Sequence, residues 1–189
     1  NLGGDGVKLA ADGTNALASS SNNEIVGNLF INVGTKPGGG AGSSILLRGS
    51  KPVTGNKTLN NTIINNGNVV GGAAAYKSET SGTNTGNIFG SNIIFDNQPW
   101  TGGGGSKRLI NWPSAGASSG NLFPNNLLFH ALDQGLTITT NVATVGAVTF
   151  RVQDWQLGGD VDGDAVADAN KCGDPGWTGA HLAPNDSRL

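Results

Sequence analysis

The sequence predicts an all-β solenoid, wound from short strands that stack repeat upon repeat. Two observations carry that reading. A nine-residue pattern recurs four times, as Asn23-Glu-Ile-Val-Gly-Asn28-Leu-Phe-Ile, Asn56-Lys-Thr-Leu-Asn-Asn61-Thr-Ile-Ile, Asn87-Ile-Phe-Gly-Ser-Asn92-Ile-Ile-Phe and Asn121-Leu-Phe-Pro-Asn-Asn126-Leu-Leu-Phe. Each copy holds an Asn, four residues, a second Asn and a β-prone triplet. The second Asn steps forward by 33, 31 and 34 residues, and a fixed period of this size marks stacked repeats. Composition agrees: the 32 glycines and the many asparagines are poor helix formers, and few windows show the 3.6-residue period.

Taken in order, the strand-like runs are residues 24–26, 29–33, 44–48, 62–65, 73–77, 93–96, 108–112, 127–130, 136–140 and 147–152. Gly- and Asn-rich turns separate them. Gly-, Ser- and Thr-rich stretches at 35–43, 78–85 and 99–106 read as loops inserted between strands. An open alternative is a β-sandwich whose turns merely happen to be rich in Asn. The organisation expected is a strand-built body over residues 1–157 and an acidic, irregular tail over 158–189.

The recurring Asn has two uses. It tolerates the left-handed backbone of a sharp corner, and its amide both donates and accepts, so stacked copies can bond to one another. Asn28, Asn61, Asn92 and Asn126 are therefore expected to form a ladder, with Asn23, Asn56, Asn87 and Asn121 as a candidate second one. In this motif the chain resembles, over roughly residues 22–152, the right-handed parallel β-helix proteins of the pectate-lyase-like superfamily. The resemblance implies about four to five coils with Gly-rich insertions.

The register assigns faces. Phe30, Ile63, Ile94 and Leu128 lie two residues after each ladder Asn and should point inward. Ile31, Ile64, Phe95 and Phe129 follow and should point outward by the period of two. An exposed stripe of large apolar side chains needs a cover. Loops of the same chain or a second copy would supply it, and β-helical viral tailspikes are commonly trimers.

Beyond that stripe, the pattern sets Asp96 beside His130 on adjacent repeats, about 5 Å apart. Such a pair can serve as general acid and base, and can equally be two solvated polar residues. Arg108, with Arg48 and Lys107, is assigned to the neighbouring strand set. Lyases of the resembled fold use acidic residues, often with Ca²⁺, and an Arg or Lys base. The repeat region here holds only scattered Glu24, Glu79, Asp96 and Asp133. Trp100 and Trp112 flank the glycines at 102–105 and are candidates for stacking on sugar rings, or for anchoring loops.

The tail reads Gly-Asp160-Val-Asp162-Gly-Asp164-Ala-Val166-Ala-Asp168-Ala-Asn-Lys171-Cys172. Carboxylates at Asp160, Asp162, Asp164 and Asp168, with the Val166 carbonyl, suit a hard cation that takes about six to eight oxygens. The stretch resembles one calcium-binding thrombospondin type-3 repeat and, more loosely, a dockerin loop. Lys171 departs from an EF-hand loop, which would place Glu there. Cys172 is the chain's one cysteine, so no internal disulfide framework exists.

The net charge of −2 leaves no electrostatic footprint for nucleic acid, and no apolar run is long enough for a membrane-spanning helix. Low charge, abundant Asn, Thr and Ser, and a calcium-type tail point to an extracellular setting. The chain lacks Met and reads as a piece of a longer secreted or surface protein. Three sequons, at Asn56, Asn60 and Asn185, matter only in a eukaryotic secretory pathway. The functional expectation is an extracellular structural, adhesive or carbohydrate-binding module. The alternatives are a polysaccharide lyase or glycoside hydrolase, or a receptor-binding fragment of a viral tailspike or tail fibre.

Overall fold

The structure is a computed structural model and describes residues 5–12, 14, 17, 19–33, 42–64, 74–96, 109–113, 118–130, 141–146, 148–151 and 171–172. Among these residues there are eighteen strands and no helix. Sheet A contains β1 (Val7–Ala11), β5 (Ile45–Gly49), β9 (Tyr76–Thr80), β13 (Ile110–Pro113), β16 (Asn141–Gly146) and β17 (Val148–Arg151), in that order. Sheet B is formed by the two-residue strands β2 (Ser20–Ser21), β6 (Val53–Thr54), β10 (Asn84–Thr85) and β14 (Ser118–Ser119). Sheet C holds β3 (Glu24–Val26), β7 (Lys57–Leu59) and β11 (Ile88–Gly90), and a parallel bridge from Ile88 to Leu122 extends it. Sheet D runs β4 (Leu29–Ile31), β8 (Thr62–Ile64), β12 (Ile93–Asp96), β15 (Leu127–His130) and β18 (Lys171–Cys172).

The chain visits the sheets in the order A, B, C, D and then returns to A. Each strand pairs in parallel with its counterpart in the next repeat, and the pairing of β16 with β17 alone is antiparallel among the described strands. That pairing ends sheet A with a strand of opposite direction.

Inward columns follow from the register. On sheet D, Phe30, Ile63, Ile94 and Leu128 are consecutive partners. The last three are fully buried and Phe30 packs against the same core, as the sequence predicts. Sheet C contributes Ile25, Thr58 and Phe89, and sheet A contributes Ile45, Tyr76 and Ile110. Each fully buried apolar side chain stabilises the stack by about 1.5–3 kcal/mol. The rings form one cluster: Tyr76 stacks on Phe89 at 4.0 Å and on Trp112 at 5.2 Å, and Phe123 meets Trp112 edge-on at 5.6 Å. The hydroxyls of Tyr76 and Thr58 and the Trp112 indole nitrogen are buried there without a hydrogen bond of good geometry.

Both predicted ladders are present. Asn56 Oδ1 accepts from the Asn23 backbone N–H at 3.0 Å and from Asn23 Nδ2 at 2.8 Å. The same double acceptance repeats from Asn56 to Asn87 and from Asn87 to Asn121. The second ladder runs Asn28, Asn61, Asn92, Asn126 with bonds of 2.9–3.1 Å. The remaining amide proton reaches a backbone carbonyl, as from Asn61 to Ile25 at 2.9 Å and from Asn92 to Thr58 at 3.0 Å. Polar groups this deeply buried are tolerated because every bond is made.

The corner itself corrects one expectation. The left-handed residue is not the ladder Asn but the residue before it: Asn22, Gly55, Gly86 and Gly120 in one series, Gly27, Asn60, Ser91 and Asn125 in the other. All eight have φ between 55° and 69°. The ladder Asn is thus freed of the turn and keeps the backbone that aims its amide along the stack.

Of the stripe expected to face outward, Ile64 and Phe95 lie outside the core cluster and are buried within the single chain, as cover from the same chain would give, while Ile31 is half-buried. The side chain of Phe129 lies outside the described residues.

Candidate functional site

The stack leaves chemistry to its outer faces, since the inward positions hold apolar and aromatic side chains, ladder amides and a few buried polar groups such as Thr58 and Ser78. On sheet D the register pairs Asp96 of β12 with His130 of β15, so their backbones are neighbours at the strand spacing of about 4.8 Å. The repeat period sets this: each follows its ladder Asn by four residues. Their side chains, and all of Arg108, lie outside the described residues.

Sheet A carries a polar outer face that joins Arg48 to Glu79. Arg48 of β5 stands in register with Glu79 of β9, and Leu46 with Lys77. Glu79 and Lys77 form an ion pair on the same strand, two residues apart. Arg48 and Glu79 are exposed while Ser78 between the pair is buried. The signal was the alternation in Lys77-Ser78-Glu79, which puts both charges on one face. On sheet C, Lys57 bridges to Glu24 at 3.0 Å across neighbouring strands. Both are well exposed, so that pair contributes on the order of 0–1 kcal/mol.

Trp112 is corrected as a sugar-stacking candidate. Its side chain is 1% exposed and is sandwiched into the aromatic cluster with Tyr76 and Phe123. Alternation decides this, because Ile110 and Trp112 share the inward face of β13 and Asn111 takes the other. Trp100 lies outside the described residues. Burial drives the pKa of the Tyr76 hydroxyl well above its ordinary value of 10.0, and the neighbouring Thr58 hydroxyl offsets part of that. The group stays neutral and is no candidate base.

The candidate calcium ligands Asp160, Asp162, Asp164, Val166 and Asp168 lie outside the described residues. Among the described residues no group of three or more His, Cys, Asp or Glu is placed to hold a metal ion. The backbone of Lys171 and Cys172, just beyond that acidic stretch, pairs with Leu127 and Leu128 at the end of sheet D. Of the two sequons in the repeats, Asn56 is buried in its ladder, whereas Asn60 is exposed at a corner. No helix among the described residues is long and apolar enough to cross a membrane.

The fold and these faces define an all-β protein of parallel sheets carrying a buried asparagine network. Comparison with protein-family models, with curated proteins and with solved structures yields no match.

Proposed function

We propose that the chain is a right-handed parallel β-helix of about four to five coils, related to the pectate-lyase-like superfamily, that serves as an extracellular structural, adhesive or carbohydrate-binding module. The observation that carries this reading is the pair of uninterrupted Asn ladders. A spine of bonded amides, buried from Asn56 and Asn61 onward, stiffens the stack and leaves its outer faces free to vary. The polar outer face of sheet A, with Arg48, Lys77 and Glu79, offers the donors and acceptors that bind sugar hydroxyls or carboxylates. In the tail, Asp160, Asp162, Asp164 and Asp168 with the Val166 carbonyl form an all-oxygen donor set suited to Ca²⁺, as in one thrombospondin type-3 repeat. Such a site fills where calcium is abundant, which supports an extracellular setting.

The adjacency of Asp96 and His130 supports a second reading, a polysaccharide lyase or hydrolase of the same architecture. A reducing-end and unsaturated-product assay on a polysaccharide panel, with and without Ca²⁺, separates the two. Binding without turnover is the expected result. Turnover lost in Asp96→Asn and His130→Ala variants would replace the module reading with the enzyme.

A further inference from the structure

Sheet A gathers positive charge on its outer face. Ile45, Leu47, Tyr76 and Ile110 belong to the core cluster, and Val7 and Leu9 pack against it. Alternation therefore turns Lys8, Arg48, Lys77, Glu79 and Asn111 outward. Register sets their neighbours: Arg48 lies between Ala10 and Glu79, and Leu46 lies between Lys8 and Lys77, with Asn111 next to Lys77. Lys8 is thus the diagonal neighbour of Arg48, with backbones about 8 Å apart. Lys51 follows Arg48 by three residues at the corner, where its N–H donates to the Ala11 carbonyl at 3.0 Å.

The counter-charges here are few and mostly engaged. Glu79 pairs with Lys77 on its own strand rather than with Arg48 beside it. Asp5 Oδ1 accepts from the Ser43 N–H at 3.0 Å. Lys8, Arg48 and Lys51 make no ion pair among the described residues. Lys8 and Arg48 are exposed and Lys51 is half-buried. Asp12, exposed just past β1, is the other acid beside them. Lys8, Arg48, Lys51 and Lys77 still outnumber Asp12 and Glu79, in a chain whose net charge is −2. A local excess of one sign attracts ligands of the other.

We infer that this patch binds the sulfate groups of a sulfated polysaccharide, with Arg48 as anchor and Lys8 and Lys51 as flanking charges. Arg offers a planar fork to an oxyanion, and each Lys adds a point charge. Three unpaired cations call for three acceptor oxygens. A sulfate ester leaves three free, whereas a carboxylate or a phosphodiester leaves two. Asn111, half-buried on the same face, adds an amide for sugar hydroxyls. The inference rests on the carbohydrate-binding reading and narrows its ligand from glycans in general to sulfated ones.

The probes are dextran sulfate, carboxymethyl dextran of equal substitution and unmodified dextran, each titrated calorimetrically into the full chain at physiological ionic strength. Dextran sulfate should bind about tenfold tighter than carboxymethyl dextran, and unmodified dextran should not compete with it. Arg48→Ala should weaken dextran sulfate binding about tenfold. Lys57→Ala, which removes the cation paired with Glu24 on sheet C, should leave it unchanged. Both positions are exposed, and circular dichroism checks that both variants fold. No binding of dextran sulfate, equal binding of the two charged dextrans, or equal losses from the two substitutions would overturn the inference. Binding of a neutral glycan without binding of dextran sulfate would overturn it and leave the module reading standing. Turnover of a glycan, with Arg48-dependent binding of dextran sulfate intact, would remove the module reading and leave the patch.

Discussion

Removing the Asn92 amide should weaken the fold far more than its size suggests. Asn92 Oδ1 accepts from Asn61 N–H at 2.9 Å and from Asn61 Nδ2 at 3.1 Å, while its own Nδ2 donates to Asn126 Oδ1 at 3.1 Å and to the Thr58 carbonyl at 3.0 Å. Asn92→Ala breaks all four bonds at a site that water does not reach. A buried polar group left unpaired costs about 1–3 kcal/mol. Counting only the Asn61 N–H and the Thr58 carbonyl puts the loss at about 2–6 kcal/mol, a large share of a typical total of about 5–15 kcal/mol. Asn28→Ala is the control, since Asn28 sits at the exposed end of the same ladder and its bonds reach Asn61 Oδ1 and the Val26 carbonyl. Water replaces those partners, so its cost should stay near about 0.5–1.5 kcal/mol. Urea unfolding followed by circular dichroism measures both. Equal losses, or an Asn92→Ala loss below about 1 kcal/mol, would refute the reasoning that the interior rungs are dry and fully bonded.

Tyr76 is the chain's one tyrosine, and burial raises its folded pKa above the ordinary 10.0. The unfolded chain therefore loses that proton first, and stability should fall as pH rises above about 10. Tyr76→Phe should remove that part of the slope, and tyrosinate absorbance appearing before unfolding would contradict it. Thr58→Val deletes a buried hydroxyl that lacks a well-formed hydrogen bond and should leave stability unchanged or raise it by about 1 kcal/mol; a clear loss in a denaturant melt would show the hydroxyl to be bonded. Gly49→Ala drives a Cβ to 2.3 Å from the Ala11 carbonyl oxygen, while Gly27→Ala meets nothing within 4 Å. The first should prevent tight pairing of β1 with β5 and the second should cost about 1–2 kcal/mol for the left-handed backbone; equal melting temperatures would undo the distinction. Chelating calcium should lower protection from proteolysis only beyond Leu157, and Asp162→Asn with Asp164→Asn should remove any thermal shift on adding Ca²⁺. An unchanged tail with and without the ion would end the calcium proposal.

Most of the stacking order was legible because the ladder Asn imposes a register. Once Asn28, Asn61, Asn92 and Asn126 align, Ile63, Ile94 and Leu128 must face inward. The exact corner was also within reach, since the residue before every ladder Asn is Gly, Asn or Ser. That signal is masked where two asparagines adjoin, as at Asn60-Asn61, because either could take the turn. Two-residue strands such as β6 and β10 carry too few side chains for any period to show. Trp112 was readable from phase, as Ile110-Asn111-Trp112 alternates, but its rarity as an aromatic suggested a binding role instead. Burial of Ile64 and Phe95 depends on cover from elsewhere in the chain, which no local pattern encodes. The outer polar face of sheet A was missed because Arg48 and Glu79 are 31 residues apart in sequence and become neighbours through strand pairing.

The central claim is that two ladders of buried amides form the spine of the stack. Hydrogen exchange of the asparagine side-chain amides, resolved by NMR on the intact chain, tests it most directly. Slow exchange is predicted for the Nδ2 protons of Asn56, Asn61, Asn87 and Asn92, with fast exchange at the open-end Asn28. Uniformly fast exchange across all of them would contradict the account.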